Sequence, residues 1–302
     1  MTVKNMKIVV HFVPRLQHQK ERADRLVAGF KRHGYTNISF IAQKSQPMRE
    51  CDLVCFWGMH GSDSIIKQQK RTGKDFLVME RGYVGDRFHW TSLGYNGLNG
   101  HADFCNTNIE SVDRWDKLFS QYHVRQYWKP IETNKPSTIL LAAQILADAS
   151  IKHLRVSYQT VLTKLLKVLP QDANVVFRDH PLNKSRNSGT MQLNLSDQDK
   201  KRVRISNSKD SLYDLLLKEI DVTVVMNSNT AVDSLLHGVP VITLAKGSMV
   251  EGFSGCDYSQ VNDPPRPDLT EWTKRIAYTQ WSPEEIANGD AWDHLKQKYE
   301  NK

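Results

Sequence analysis

The stretch Asp221–Leu244 reads DVTVVMNSNTAVDSLLHGVPVITL. Residues 222–226 form a short apolar run rich in β-branched side chains, which is typical of a buried parallel strand. Small polar residues follow at 227–230, and such residues begin helices because their side chains bond the N–H groups of the first turn. Gly238 and Pro240 predict the end of this helix. Residues 239–244 predict another strand, so the stretch indicates a strand–helix–strand unit.

A helix N-terminus at the carboxyl end of a parallel strand favours anions, because its free N–H groups and the helix dipole both attract negative charge. Ser228 and Thr230 add hydroxyl donors at this point. The sequence therefore contains a candidate phosphate site. A simpler interpretation, in which these residues only cap a helix, stays open because polar caps are the norm.

The composition is typical of a two-domain globular protein: 302 residues, of which 39% are hydrophobic and 25% charged. No apolar run reaches the roughly eighteen residues of a membrane span, and the first residues lack the pattern of a signal peptide. Cys51 and Cys55 lie within an apolar strand pattern, which predicts buried thiols, and no Cys/His cluster has zinc spacing. We expect a reduced, cytoplasmic protein.

The first part of the chain alternates predicted strands and helices with short connections. The predicted strands cover residues 6–13, 38–42, 52–57 and 76–79, and the predicted helices cover residues 19–33 and 62–72. This alternation indicates a parallel sheet covered on both faces.

Residues 80–103 break the alternation with a segment rich in glycine and aromatic residues. The segment begins where the fourth predicted strand ends, and loops at the carboxyl ends of strands carry the ligand in open α/β sheets. It is a candidate acceptor-binding surface. A packed loop with a purely structural role explains the composition equally well.

Residues 130–136, Pro-Ile-Glu-Thr-Asn-Lys-Pro, predict a linker. The alternation then restarts with a strand at 138–142. The predicted organisation is an N-terminal Rossmann-like domain at 1–133, a C-terminal Rossmann-like domain at 134–285, and a helix at 286–302 that packs back. Two such domains would leave a cleft between them, which is a preferred place for small-molecule sites.

Three polar segments of the second domain follow predicted strands, at residues 144–150, 178–181 and 227–230. The carboxyl ends of parallel strands share one edge of a sheet, so we expect the segments to lie together and face the cleft. Arg178 can bind a phosphate through two N–H groups, and His180 can donate to a bridging oxygen. Together the three segments predict a nucleotide-phosphate site, although each alone also has a structural explanation.

Four groups of motifs are spread over most of the chain. They are Trp57-Gly58 at a predicted strand end, Glu80-Arg81-Gly82-Tyr83, Gln144 with Asp148-Ala149-Ser150, and His180-Pro181 with Ser228-Asn229-Thr230 and Gly238-Val239-Pro240. With these motifs the chain resembles the GT-B glycosyltransferases, and in detail their capsule-polysaccharide, Kdo-transferase-like group. The resemblance implies an α/β protein with two Rossmann-like domains facing a central cleft.

The resemblance also implies a sugar transferase that uses a nucleotide-sugar donor, a UDP-, GDP- or CMP-sugar, without a further cofactor. The candidate donor-binding residues are Gln144, Arg178, His180, Ser228, Asn229, Thr230 and Asp233. No Asp-x-Asp metal motif is evident, so we expect metal independence and name no metal ligand.

The first domain would bind the acceptor and supply a carboxylate base. The base takes the proton of the acceptor hydroxyl while N–H or cationic groups stabilise the departing phosphate. The family's Asp after Glu is Arg81 in this chain. Either Glu80 or Asp86 must then be the base, or the activity is altered.

The acceptor is inferred from charge and aromatic content. The formal net charge of +8 favours anionic partners, and Arg81, Arg87, Trp90 and Tyr95 suit a phosphate backbone and a stacked or flipped base. The chain also resembles, less closely, phage-encoded glycosyltransferases that decorate hydroxymethylated DNA bases. If the protein is phage-encoded, we expect it in the host cytoplasm. We expect a hydroxymethylated pyrimidine base in DNA as acceptor. The alternative acceptor is a saccharide of the capsule or lipopolysaccharide type.

Two further functions stay open. A non-catalytic protein that binds nucleotide sugars or nucleic acid is one, because the Asp beside Glu80 is missing. A two-Rossmann nucleotide-sugar epimerase is the other. A dehydrogenase is disfavoured, since no Gly-x-Gly-x-x-Gly follows a predicted strand.

Overall fold

The computed structural model describes residues 5–42, 50–104, 109, 111–122, 128–130, 132, 134–146, 148–180, 182, 193–206 and 210–300. The chain forms two compact units. The first unit comprises Met1–Phe119 and Thr273–Lys302, and the second comprises Ser120–Trp272. These limits differ from the predicted boundaries after residues 133 and 285.

The strands, in chain order, are β1 Ile8–His11, β2 Ile38–Ile41, β3 Leu53–Trp57, β4 Asp75–Arg81, β5 Thr91–Tyr95, β6 Thr138–Ala142, β7 Asn174–Arg178, β8 Val203–Ser206, β9 Val222–Val225, β10 Val241–Thr243 and β11 Gln280–Trp281. The helices are α1 Gln17–Arg32, α2 Asp63–Thr72, α3 Asp113–Phe119, α4 Tyr158–Val168, α5 Leu212–Lys218, α6 Thr230–Leu236, α7 Thr270–Ala277, α8 Pro283–Asn288 and α9 Asp290–Glu300.

The first unit contains a six-stranded sheet in the order β11-β5-β4-β3-β1-β2. Strands β1 to β4 run parallel, as the alternation of strands and helices predicts. Strand β5 is antiparallel to β4, and β11 is antiparallel to β5. The segment predicted as an acceptor-binding loop is therefore partly a hairpin, with β5 buried along its whole length. Its sequence, Thr-Ser-Leu-Gly-Tyr, carries too weak an apolar pattern to predict a buried strand.

The C-terminal helices pack on α1 within the first unit. A Cβ at Gly29 of α1 would clash with the carbonyl oxygen of Ile286, so glycine allows the close approach of α8. The single helix expected near the C-terminus is two helices, because Gly289 adopts a left-handed φ of 92° between α8 and α9.

The second unit contains a five-stranded sheet in the order β10-β9-β6-β7-β8, in which all strands are parallel. The stretch quoted above forms β9, α6 and β10. Gly238 has a φ of 69°, the left-handed conformation that its place after the helix predicts. The predicted α/β class, with a Rossmann-like sheet in each unit, is confirmed.

The predicted thiol environments are confirmed for Cys51 and Cys55, which are both buried and free. Burial raises the pKa of Cys51 to about 11 and that of Cys55 well above its ordinary value. Cys105 lies outside the described residues. Among the described helices, none has the length and apolar character needed to cross a membrane.

Candidate functional site

The second sheet brings the three predicted polar segments to one edge. Strands β9, β6 and β7 are neighbours and parallel, so their carboxyl ends lie side by side. Gln144 follows β6, Asp179 follows β7 and Asn227 follows β9 within two residues of each strand end. This edge is the place where open α/β sheets bind ligands.

Gln144 and Asn227 join the loops after β6 and β9 through two hydrogen bonds. Gln144 Nε2 donates to Asn227 Oδ1 at 3.0 Å, and the Asn227 backbone N–H donates to Gln144 Oε1 at 2.9 Å. Both side chains are buried. The Gln144 backbone N–H also donates to the Tyr158 hydroxyl at 2.7 Å. The Gln144 amide thus fixes the loop that precedes α6.

Ser150 lies beside the Gln144–Asn227 pair. Its Oγ lies 2.6 Å from Asp148 Oδ1 and 2.9 Å from Asn227 Oδ1, and its backbone N–H donates to Asp148 Oδ1 at 2.9 Å. A hydroxyl has one proton, so Ser150 donates to one of these oxygens at a time. The motif of Asp148 and Ser150 forms a turn that holds Asn227. Ala147, within this motif, lies outside the described residues.

Ser228, Asn229 and Thr230 lie at the start of α6, where the sequence predicts them. Ser228 Oγ accepts the Thr230 backbone N–H at 3.3 Å and donates to Thr230 Oγ1 at 3.2 Å. Asn229 is the N-cap residue, without a side-chain cap hydrogen bond. Asp233 places a carboxylate in the first turn, which complements the helix dipole and opposes an anion. Because the Asp233 carboxylate offsets the positive end of the helix dipole, the hydroxyl groups of Ser228 and Thr230 are the groups here that could bind a phosphate.

His180 presents a defined hydrogen-bond donor after β7. The Leu182 backbone N–H donates to His180 Nδ1 at 3.1 Å. Nδ1 then carries no proton, so the neutral imidazole carries its proton on Nε2. The His180 backbone N–H donates to Asp179 Oδ1 at 2.7 Å, which anchors the residue. Pro181 lies outside the described residues.

Arg178, at the end of β7, forms its side-chain hydrogen bond towards the edge strand β8. The segment at Ser228 follows β9, which lies two strands from β7 on the opposite side. Arg178 Nη1 donates to Ser206 Oγ at 3.0 Å, and Ser206 Oγ donates to Asp210 Oδ2 at 2.8 Å. Burial lowers the pKa of Arg178, and the Asp210 charge opposes that shift. The structure therefore places Arg178 with the edge strand rather than with Ser228.

In the first unit Glu80 lies at the carboxyl edge of the sheet, next to the end of β4. Its Oε1 accepts the Arg81 backbone N–H at 2.9 Å. Gly58, after the neighbouring β3, has a φ of 59°, and a Cβ there would lie only 3.2 Å from Glu80 Oε2. Glycine thus lets the backbone pass close to the carboxylate. The structure brings together the Trp57-Gly58 motif and Glu80.

Asp86 stabilises the loop between β4 and β5. Its Oδ1 accepts the Phe88 backbone N–H at 2.9 Å. Arg87 Nε donates to the Gly82 carbonyl oxygen at 2.8 Å, which closes the same loop. Both side chains are exposed but act on the loop backbone.

Trp90 and Tyr95 are less accessible than their predicted role in acceptor binding requires. The Trp90 ring packs against Phe119 with centroids 5.3 Å apart. Tyr95 is fully buried and its hydroxyl donates to Asp75 Oδ2 at 2.6 Å. A ligand cannot reach Tyr95 at this position, so an acceptor-binding role for it does not fit the structure. The residue belongs to the core because it lies in β5.

Sequence reasoning missed His18 and Arg22 of α1 and did not include Asn227 among the site residues. The Arg22 guanidinium lies 5.4 Å above the Trp57 ring, and the His18 ring meets the same indole edge-on at 5.2 Å. Arg22 occupies the apolar stripe of α1, beside Ala23 and before Leu26. A charged residue at a core position of an amphipathic helix is the signal that could have found it.

Within the described part of the chain, no group of three or more His, Cys, Asp or Glu side chains is arranged to hold a metal ion.

Comparison with known proteins gives a family model and a fold. The model of the capsule polysaccharide biosynthesis protein family matches residues 112–253, a stretch that contains all the candidate donor-binding residues of the second unit. A search of curated protein sequences finds no significant match.

Two solved structures of KpsC from Thermosulfurimonas dismutans are similar over nearly the whole chain. The beta Kdo 2,7 transferase has a TM-score of 0.53 at 16% identity, covering 96% of this chain and 99% of that one. The beta Kdo 2,4 transferase has a TM-score of 0.56 at 14% identity, covering 91% and 90%. At such identity the likeness shows the fold. Together with the family model, it confirms the resemblance to GT-B proteins of the capsule-polysaccharide, Kdo-transferase-like group.

Proposed function

We propose that the protein is a glycosyltransferase that moves a sugar from a nucleotide-sugar donor to a hydroxyl of a capsule- or lipopolysaccharide-type saccharide. The observation that carries the proposal is the match of residues 112–253 to the capsule polysaccharide biosynthesis family. The matched stretch includes the edge of the second sheet where the three polar segments meet. Kdo, the sugar named for the two similar structures, is the first candidate for the transferred sugar.

In this proposal the second unit holds the donor phosphate. His180 offers an Nε2–H donor, since its Nδ1 accepts the Leu182 backbone N–H. Ser228 and Thr230 offer hydroxyl groups at the start of α6. Such neutral donors stabilise the negative charge that develops on the leaving phosphate. Gln144 acts indirectly by holding Asn227 and the loop before Ser228.

Glu80 is the better candidate for the base. It lies at the carboxyl edge of the first sheet, half-buried beside Gly58. Asp86 uses its carboxylate to accept the Phe88 backbone N–H in an exposed loop. In the proposed reaction Glu80 takes the acceptor proton as the hydroxyl oxygen bonds to the anomeric carbon. The bond from that carbon to the phosphate oxygen breaks at the same time.

The findings favour a saccharide acceptor over a DNA base. The family model and both similar structures concern capsule polysaccharide and Kdo transfer. The stacking residues expected for DNA are also engaged in the protein: Tyr95 is buried and Trp90 packs against Phe119. No finding supports a DNA acceptor.

The test is a transfer assay with a panel of UDP-, GDP- and CMP-sugars, including CMP-Kdo. Acceptors would be Kdo-terminated oligosaccharides in one arm and duplex DNA with 5-hydroxymethylpyrimidines in the other, with products measured by mass spectrometry. We expect a mass gain of one sugar on the saccharide and none on DNA. A gain on DNA alone would overturn the saccharide assignment. Conversion of the nucleotide sugar without acceptor would indicate an epimerase, and donor binding without turnover a non-catalytic protein.

A further inference from the structure

Phe88 lies in the loop between β4 and β5 with its ring open to solvent. The residue is 68% exposed, the largest exposed fraction among the large apolar residues in the described part of the chain. Single exposed apolar residues are common on protein surfaces, so exposure alone indicates no site. Phe88 differs from such residues in how firmly the surrounding structure holds it.

The tip of this loop is anchored to α1 through the Phe88 backbone. Its N–H donates to Asp86 Oδ1 at 2.9 Å, and its carbonyl oxygen accepts an N–H from Arg22. Arg22 is buried, and it also donates to the Thr91 hydroxyl at 3.0 Å and to the His18 carbonyl oxygen at 3.1 Å. One guanidinium therefore ties α1, β5 and the loop together beside Phe88.

The base of the loop is held by Gln280 of β11, which is fully buried. Gln280 Oε1 accepts the backbone N–H groups of Tyr83 at 2.7 Å and Val84 at 2.9 Å, and its Nε2 donates to the Val84 carbonyl oxygen at 2.9 Å. The Gly82 N–H donates to the Trp90 carbonyl oxygen at 3.0 Å, which closes the loop. A loop held at its base and its tip is ordered before a ligand arrives, which lowers the entropic cost of binding.

The Phe88 ring lies close to the proposed base. The Arg81 guanidinium covers one face of the ring, 4.3 Å from its centroid. Since the residue is still mostly exposed, the other face is open to solvent. Arg81 directly follows Glu80, and its backbone N–H donates to Glu80 Oε1 at 2.9 Å. The open ring therefore contacts the residue next to the carboxylate that would take the acceptor proton.

A purely structural role does not require an aromatic side chain at this position. The hydrogen bonds that hold the loop use the backbone of Phe88, so most residues at position 88 could form them. An exposed ring also adds little buried apolar surface to the fold. The side chain itself is thus left without an explanation inside the protein.

We propose that Phe88 is an acceptor-binding residue whose open face stacks on the apolar face of a sugar ring. The proposal rests on the proposed function, because it names a contact for the saccharide acceptor in the unit that carries Glu80. The face of an aromatic ring is electron-rich, and the C–H groups on one side of a pyranose carry small positive charges that it attracts. Stacking also removes the exposed ring from water.

The experiment titrates the full-length protein with a Kdo-terminated oligosaccharide in the absence of donor, and saturation-transfer difference NMR gives the affinity. Phe88→Ala should weaken binding about three- to tenfold, the range typical of an aromatic contact. Phe40→Ala makes the same change at an exposed position of β2 and should leave the affinity unchanged. Because both rings are exposed, each variant should melt within about 2 °C of the wild type.

Two conservative variants separate stacking from simple apolar contact. Phe88→Tyr keeps the aromatic face and should bind the oligosaccharide within about twofold of the wild type. Phe88→Leu keeps an apolar side chain without the ring and should bind as weakly as Phe88→Ala. Wild-type affinity in the Leu variant would overturn the proposal.

Steady-state transfer gives a second readout that a structural role would not produce. Phe88→Ala should raise KM for the oligosaccharide by the same factor as the binding constant. KM for the nucleotide sugar and kcat should stay within about twofold, because stacking binds substrate and transition state equally. A fall in kcat with unchanged acceptor KM would contradict the proposal.

Two further outcomes test the proposal. Transfer by the wild type, together with equal acceptor affinity in Phe88→Ala and Phe40→Ala, would overturn the role of Phe88 and leave the glycosyltransferase function. Neither binding nor transfer by the wild type would overturn the function and this contact with it. Vesicles of phosphatidylglycerol are a second probe, because an exposed ring beside arginines also suits a lipid surface. Vesicle binding that Phe88→Ala abolishes, with oligosaccharide affinity intact, would overturn the saccharide contact.

Discussion

The carboxyl edges of the two sheets use different chemistry. In the second unit the loops after β6 and β9 are joined by neutral groups, the Gln144 and Asn227 amides, while the carboxylates of Asp148 and Asp179 anchor their own loops. In the first unit the edge carries charge: Glu80 lies close to Gly58, and Arg22 is buried beside Trp57. Neutral donors suit a phosphate that must leave after reaction, since they bind it without the strength of an ion pair. Charged groups suit proton transfer.

The largest effect should come from Glu80→Gln, which tests the charged edge. Loss of a general base typically costs about 10²–10⁴-fold in rate. We expect transfer to fall by that factor while donor affinity, measured by calorimetry, stays within twofold of the wild type. Glu21→Gln, at an exposed position of α1, is the matched control and should keep its activity. Full transfer by the Glu80 variant would move the base elsewhere.

The same contrast explains how far the sequence predicts the site. At the carboxyl edge of the second sheet the polar residues come in short contiguous motifs. Each motif follows a strand with a clear apolar pattern, such as Val222–Val225. Local propensity therefore predicts both the strand and the polar residues that follow it. The tie of Gln144 to Asn227 spans 83 positions, so its partner choice depends on strand order rather than on local sequence.

The carboxyl edge of the first sheet is less predictable because its contacts join distant parts of the chain. Arg22 meets Thr91 across 69 positions, and that contact exists only because β5 turns back along β4. Strand β5 has no apolar alternation of its own, so the sequence predicts Tyr95 in a binding loop instead of the core. Tertiary packing, rather than propensity, places these residues.

Asn227→Ala should give the second-largest effect and tests the neutral edge. It removes the Oδ1 acceptor of the buried Gln144 Nε2, which typically costs about 1–3 kcal/mol, while the backbone N–H at position 227 still donates to Gln144 Oε1. We expect the melting temperature to fall by about 2–4 °C per kcal/mol, and donor affinity to fall with it. Asn174→Ala, at the exposed start of β7, is the control. Unchanged donor affinity in the Asn227 variant would separate this pair from the donor site.

Glu285→Gln should have a moderate effect, which lowers the stability of the first unit at pH 7 and reduces its acid sensitivity. Glu285 binds Arg114 through both carboxylate oxygens. Burial alone would raise its pKa, but the Arg114 and Ser282 hydrogen bonds outweigh burial and the pKa is lowered. A carboxylate with a lowered folded pKa stabilises the fold above its unfolded pKa of about 4.3 and loses that contribution as pH falls through the folded value.

The measurement for Glu285 is thermal unfolding between pH 7 and pH 3. The wild type should lose stability over the acidic part of this range, and the Gln variant should start about 1–3 kcal/mol lower at pH 7 and lose less on acidification. Glu271→Gln, in α7, controls for the loss of one carboxylate. Parallel curves for wild type and the Glu285 variant would contradict the assignment.

Ser150→Ala should have the smallest effect, because it removes one member of the second edge and leaves Gln144 and Asn227 bonded to each other. Its hydroxyl donates to Asp148 at 2.6 Å and lies 2.9 Å from Asn227 Oδ1, which keeps its bond from Gln144. A typical hydrogen bond contributes about 0.5–1.5 kcal/mol. The expected result is a small drop in melting temperature with a less than threefold change in donor affinity, measured beside Ser196→Ala, which removes an exposed hydroxyl that bonds Asp199. A larger loss of donor affinity than in Asn227→Ala would mean that the Ser150 hydroxyl contacts the donor itself, and the neutral edge would then bind its ligand through the Asp-Ala-Ser turn rather than through α6.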